Sequence, residues 1–119
     1  MSGDNPFKKM VTYDLTTPEF VKRLQCTNSE EGEDTILSCI VIGDPVPKIK
    51  WYNEEGIELV YGDRYQTNYD LETGQAELIV KNTQISDEMS YKCVASNEYG
   101  TSKTVGVLVI KSKIPFSIS

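Results

Sequence analysis

The sequence predicts an all-β fold, a sandwich of two antiparallel sheets with Greek-key connections. Three observations carry this. Apolar and polar residues alternate in short runs separated by turn residues at regular spacing, with no helical period. Cys39, Trp51 and Cys93 fall on the inward phase of three of those runs. Tyr91 stands two residues before Cys93, and Asp87 four residues before Tyr91. A buried Tyr needs a partner for its hydroxyl, and backbone at the entrance of a strand can supply one.

The elements follow in order. Residues 1–17 have no sustained period, contain Gly3 and Pro6, and read as an N-terminal linker. The domain spans 18–111 and opens on Pro18-Glu-Phe20, with Phe20 the first core anchor on an edge strand that tolerates Pro18 at its start. Cys26 to Asp34 is polar and acidic. It carries Thr27 and Ser29 where an edge strand would carry apolar residues, so it is expected to pair loosely. Thr35 to Ile42 is a strand with Leu37, Cys39 and Val41 inward. Gly43 to Pro47 is a loop, because its two prolines lack ladder donors.

Lys48 to Tyr52 is a strand with Ile49 and Trp51 inward, and Asn53 to Gly56 a turn. Ile57 to Val60 is a short strand. Arg64 to Asp70 is another, with Tyr65, Thr67 and Tyr69 on one face. Leu71 to Gly74 is a hairpin turn, and Gln75 to Lys81 brings Ala76, Leu78 and Val80 inward. Asn82 to Glu88 crosses between sheets, with Ile85 expected to plug the bottom of the core. Tyr91, Cys93 and Ala95 share the inward face of the next strand, and Asn97 to Gly100 turns it back. Thr101 to Lys111 is an edge strand in which Gly106 is expected to mark a bulge. Residues 112–119 read as a C-terminal tail.

These residues together resemble an intermediate-set (I-set) immunoglobulin domain. The pattern is nearest to the domains of intracellular muscle and cytoskeletal proteins: titin, twitchin, myosin light-chain kinase with its telokin domain, and myosin-binding protein C. It runs through Pro18-Glu-Phe20, Glu31-Gly32, Leu37, Cys39, Val41, Gly43, Pro45, Pro47, Ile49, Trp51, Arg64-Tyr65, the Tyr69 to Gly74 hairpin, Leu78, Val80, and Asp87 through Gly100. Two departures stand out. Met89 replaces the Gly or Ala the family prefers, and Cys26 to Glu30 lacks the usual apolar residues. The resemblance implies that Trp51 packs on Cys39 and Cys93 between the sheets, and that Tyr91 makes a tyrosine corner. It also implies that Arg64 bridges Asp87 to close the bottom of the sandwich. Cys39, Trp51, Leu78, Asp87, Tyr91, Cys93 and Arg64 are therefore expected to be core-structural.

Composition excludes several classes of function. A chain of 119 residues suits one domain with a real core. With a net charge of −6 and no basic patch, nucleic acid is a poor partner. No apolar run reaches the length of a membrane span, and Met1 to Met10 has no apolar core of a signal peptide. No Asn-x-Ser/Thr sequon occurs. With no His, neither a Ser-His-Asp nor a Cys-His pair can form within the chain, so it does not read as an enzyme and implies no cofactor. Glu30-Glu31-Gly32-Glu33-Asp34 has no EF-hand spacing and reads as a solvated acidic turn. The three cysteines leave at least one unpaired.

The functional expectation is a non-enzymatic structural and protein-interaction module of a larger cytoplasmic muscle or cytoskeletal protein. Its expected partners are neighbouring immunoglobulin or fibronectin domains, or filament proteins such as myosin or actin. The alternative is an extracellular adhesion or receptor domain. In the cytosol, Cys39 and Cys93 are expected to stay reduced. If Leu37, Cys39 and Val41 face inward, Ile36, Ile40 and Ile42 face outward, as does Ile79 on the neighbouring strand. An unbroken patch of Ile36, Ile40, Ile42 and Ile79 is the expected partner surface. The outward Val105, Val107 and Val109 form a second candidate.

Overall fold

The computed structural model describes residues 16–113. Its strands are β1 (Glu19–Lys22), β2 (Thr27–Glu30), β3 (Thr35–Ile42), β4 (Lys48–Tyr52), β5 (Glu58–Leu59), β6 (Tyr65–Tyr69), β7 (Gln75–Val80), β8 (Ser90–Asn97) and β9 (Gly100–Lys111). A 3-10 turn, Ile85–Asp87, lies between β7 and β8. One sheet has the order β1-β3-β7-β6 and the other β2-β9-β8-β4-β5, so the chain repeatedly crosses between layers. Pairing is antiparallel except between β2 and β9, which run parallel. The sequence readings of residues 1–15 and 114–119 lie outside the described residues.

The core follows the alternation. Leu37, Cys39 and Val41 of β3, Ala76, Leu78 and Val80 of β7, and Cys93 and Ala95 of β8 have no exposed surface. Trp51 and Tyr91 are buried beside them. A fully buried Leu or Val contributes about 1.5–3 kcal/mol. Phe20, Ile49, Tyr65, Tyr69 and Met89 pack against this cluster from its margins. Met89, unusual for the family pattern, thus fills space at the core's edge. The turn before β7 depends on Gly74, whose φ is +78 and where a Cβ would sit 2.7 Å from the Val41 carbonyl oxygen.

Four expectations need correction. The strand from Thr101 to Lys111 is no edge strand, because β2 pairs along its outer side and leaves β9 inside the sheet. The Cys26 to Asp34 segment does not pair loosely: Thr27 to Glu30 run in unbroken register with Leu108 to Lys111. Its apolar anchor is Leu24, buried just upstream. Its inward hydroxyl is also satisfied: Ser29 Oγ lies 2.5 Å from Thr35 Oγ1, which lies 2.8 Å from Thr83 Oγ1. A polar side chain can replace an apolar one when its hydrogen bonds are met.

Gly106 marks no bulge, because it pairs in register with Tyr91. It is a place of close approach. A Cβ there would come within 2.8 Å of Leu24 Cβ and 2.9 Å of the Gln25 carbonyl oxygen. The chain crosses from one sheet to the other at this point, and Leu24 N–H donates to Thr104 Oγ1 at 3.2 Å.

Ile85 does not plug the core; it is 46% exposed. Thr83 takes that place, fully buried, with its hydroxyl shared between Thr35 and the Val80 carbonyl. The 3-10 turn rotates Ile85 outward so that Asp87 can face in.

Candidate functional site

The crossing from β7 to β8 is built around Asp87. Its Oδ2 accepts Arg64 Nη2 at 2.5 Å and the Gln84 N–H at 2.7 Å. Its backbone carbonyl accepts the Tyr91 hydroxyl at 2.6 Å. Arg64 Nε also donates to the Lys81 carbonyl at 3.2 Å. One residue therefore joins the start of β6, the 3-10 turn and the start of β8. Burial, and secondarily the Asp87 charge, push the Tyr91 phenol well above its ordinary value. Asp87 is buried and Arg64 half-exposed, so the pair closes the bottom of the sandwich while touching solvent on the arginine side.

Cys39 and Cys93 are fully buried, hydrogen-bonded to each other and unbridged. That hydrogen bond and burial push the Cys93 thiol up, so Cys93 is held as the neutral thiol. Cys93 pairs with Trp51 across β8 and β4. Among the described residues, the buried Trp51 Nε1 has no hydrogen-bond partner. An unmet donor costs about 1–3 kcal/mol. Burying the ring offsets that, at about 25 cal/mol per Å² over roughly 200 Å².

The two outer faces differ. On the four-stranded sheet, Ile36 pairs with Ile79, whereas Ile40 pairs with Gln75 and Lys22, and Ile42 with Glu19. Ser38 and Glu77 pair between them. Ile79 thus lies beside Ile36, roughly 13 Å from Ile40 along the strand direction. The expected unbroken patch is instead two separate spots, because strand register was not fixed by the alternation. The Ile40 and Ile42 methyls also flank Gly74, which covers part of them.

On the five-stranded sheet, Val105, Val107 and Val109 are 56%, 44% and 39% exposed. Lys50 pairs with Val94, which pairs with Lys103, while Tyr52 pairs with Lys92, which pairs with Val105. Lys50 and Lys92 face outward because they alternate with the inward Ile49, Trp51, Tyr91 and Cys93. What alternation lacks is the register that gathers them.

The ends of the described chain lie at opposite poles. At one, Asn97 Nδ2 donates to the carbonyls of Thr16 and, at 2.9 Å, Pro45, and Ser102 Oγ to that of Pro18 at 2.6 Å. At the other, Lys113 N–H donates to Glu31 Oε1 at 3.2 Å, and Glu31 N–H to the Lys111 carbonyl at 2.9 Å. The acidic turn is thus part of this exit: Gly32 and Glu33 exchange backbone hydrogen bonds with Thr83, and Asp34 Oδ1 accepts the Asn82 N–H. Among the described residues no group of three or more His, Cys, Asp or Glu is placed to hold a metal ion.

Comparison with known proteins agrees with this geometry. The family model of the immunoglobulin I-set domain matches residues 18–110. Muscle M-line assembly protein unc-89 of Caenorhabditis elegans is 37% identical over 93 residues, covering 78% of this chain and 1% of that protein. The cell adhesion molecule DSCAM of Homo sapiens is 34% identical over 88 residues, 74% of this chain and 4% of that protein. The chain therefore spans a small fraction of the relatives it matches. Among solved structures, a tandem of titin immunoglobulin domains superposes with a TM-score of 0.76 at 32% identity, covering 81% of this chain and 48% of that one. With its inter-sheet Cys39–Trp51–Cys93 packing, its Tyr91 corner and a family match across nearly all the described residues, the chain belongs to the immunoglobulin I-set domain family.

Proposed function

We propose that this domain is a folded link and docking module within a larger multidomain muscle or cytoskeletal protein, working in the cytoplasm. The observation that carries this is the placement of Thr16 and Lys113, the first and last described residues, at opposite poles. A domain entered at one pole and left at the other transmits tension along its long axis. Tension on the ends then loads the parallel β2–β9 pair along its strands, so its hydrogen bonds must shear together rather than open singly. Similarity to unc-89 and to titin domains supports the muscle context.

The test is single-molecule stretching of a tandem array of this chain. The domains are expected to unfold in single steps, and Asn28→Pro with Ser29→Pro, which removes β2 donors, should lower the unfolding force by half or more. Equal forces with and without the prolines would sink the link reading.

A second reading, an extracellular adhesion domain, is supported by the similarity to DSCAM. The state of Cys39 and Cys93 separates the two, as argued below.

A further inference from the structure

The outward side of β4, β8 and β9 carries a chemistry that the sandwich itself does not need. The inward residues of β9, among them Thr104, Leu108 and Ile110, fill the core, whereas Val105, Val107 and Val109 point away from it. Beside them stand Lys50, Lys92 and Lys103. The pairings Lys50↔Val94↔Lys103 and Tyr52↔Lys92↔Val105 place Lys92 diagonal to both other lysines. Diagonal neighbours are about 7–8 Å apart, within reach of long side chains, and like charges so placed are unfavourable. Arg23 adds another cation at this edge, donating to the Lys103 carbonyl at 3.5 Å.

The carboxylates around this face lie at its margins. Glu54 accepts the Ser90 N–H and hydroxyl at 2.9 and 3.2 Å and shares a recess with Lys92 and Val105 at one end of the face. Glu58 sits opposite Tyr52 on the β5 edge, and Glu30 opposite Lys111 on the β2 edge. Lys92 lies over the Tyr52 ring at 5.4 Å. A cluster of cations edged by exposed valines, in a chain of net charge −6, is a local reversal of the molecule's field.

We infer that this face docks a partner protein whose contact surface sets carboxylates beside apolar side chains. This rests on the reading of the domain as an interaction module and names the surface and the partner's chemistry. The carboxylates would meet Lys50, Lys92 and Lys103, and the apolar groups would cover the valines. A protein partner fits better than a phosphate polymer or anionic membrane. The valines call for apolar contact, and an extended anionic surface would also meet Glu58 and Glu30 at the two edges of the same sheet.

The probe is a capped twelve-residue peptide of alternating glutamate and valine, titrated into the 119-residue chain and followed by backbone amide shifts. Shifts should concentrate on β4, β8 and β9, and binding should weaken at least tenfold between 50 and 500 mM salt. Lys50→Glu, Lys92→Glu and Lys103→Glu together should abolish it. Val105→Thr with Val107→Thr should weaken it severalfold, since threonine keeps the branched strand shape. Circular dichroism and melting establish that each variant is folded. Should the triple variant fail to fold, Lys50→Gln with Lys103→Gln replaces it, with a tenfold loss expected.

No binding, shifts elsewhere on the molecule, or equal binding of the peptide with lysine in place of glutamate overturns the inference. So does binding to phosphatidylserine vesicles in place of the peptide, which would make the face a membrane contact. The stretching experiment does not involve these lysines, so the link reading and this inference can fail separately.

Discussion

At the residue scale, Asp87 and Tyr91 bear most of the local argument. Asp87→Ala would leave the Gln84 N–H without its acceptor and Arg64 without its carboxylate. Arg64 is 42% exposed, so water recovers part of its interaction, and the loss falls below that of a fully buried pair. The expected cost is about 2–3 kcal/mol, dominated by the unmet backbone donor. Urea melts check it, and a curve that overlays the parent would remove the assignment. Tyr91→Phe should cost about 1–2 kcal/mol through the lost bond to the Asp87 carbonyl.

Tyr91 also predicts a pH dependence. The folded phenol is held above its ordinary value of 10.0, so the fold favours the neutral form. The stability this gives is complete below pH 10. It is lost above that, where the unfolded chain releases a proton that the folded chain keeps. The loss for this group is about 1.4 kcal/mol per pH unit. Denaturant melts from pH 10 to 12 should show a shallower decline for Tyr91→Phe than for the parent. Tyr65 and Tyr69, raised mainly by burial, keep contributing in both.

At the element scale, the crossing between β1 and β2 is the clearest case of one strand accommodating another. Gly106 leaves room for Leu24 and the Gln25 carbonyl against β9. Gly106→Val would drive carbon into backbone that has nowhere flexible to yield, and is expected to cost about 1–3 kcal/mol. Hydrogen exchange should rise first at Leu24 and along β2, while β3 and β7 stay protected. Uniform loss of protection would mean that the crossing is no separate unit. At the same scale, the register of β3 against β7 divides the outward isoleucines into two spots, and the register of β8 against β4 and β9 gathers the lysines.

At the scale of the whole molecule, the compartment governs the core. Cys39 and Cys93 meet without a bridge, and Cys26 is exposed. Cysteine fills such a site as a small apolar side chain. Chain made without oxidant is expected to give three free thiols after unfolding, by reaction with a chromogenic disulfide. A count of one would mean that Cys39 and Cys93 are bridged, and would favour the extracellular reading. Reduced thiols suit a cytoplasmic link, since disulfides seldom persist there.

The sequence by itself determined the sandwich, most strand bounds and the inward set, because alternation with period two assigns each side chain to a face. It also determined the Arg64–Asp87–Tyr91 corner through the family pattern. The register of neighbouring strands was decided only by the tertiary structure. Alternation is unchanged by a slip of two or four residues, yet such a slip determines whether Ile79 meets Ile36, Ser38 or Ile40. The same limit hid the satisfied Ser29–Thr35–Thr83 hydroxyls, whose partners lie as far as 48 residues apart. It also concealed the exchange of Ile85 for Thr83, because hydropathy favoured the isoleucine, while the turn that presents Asp87 to Arg64 and Gln84 required it to face water.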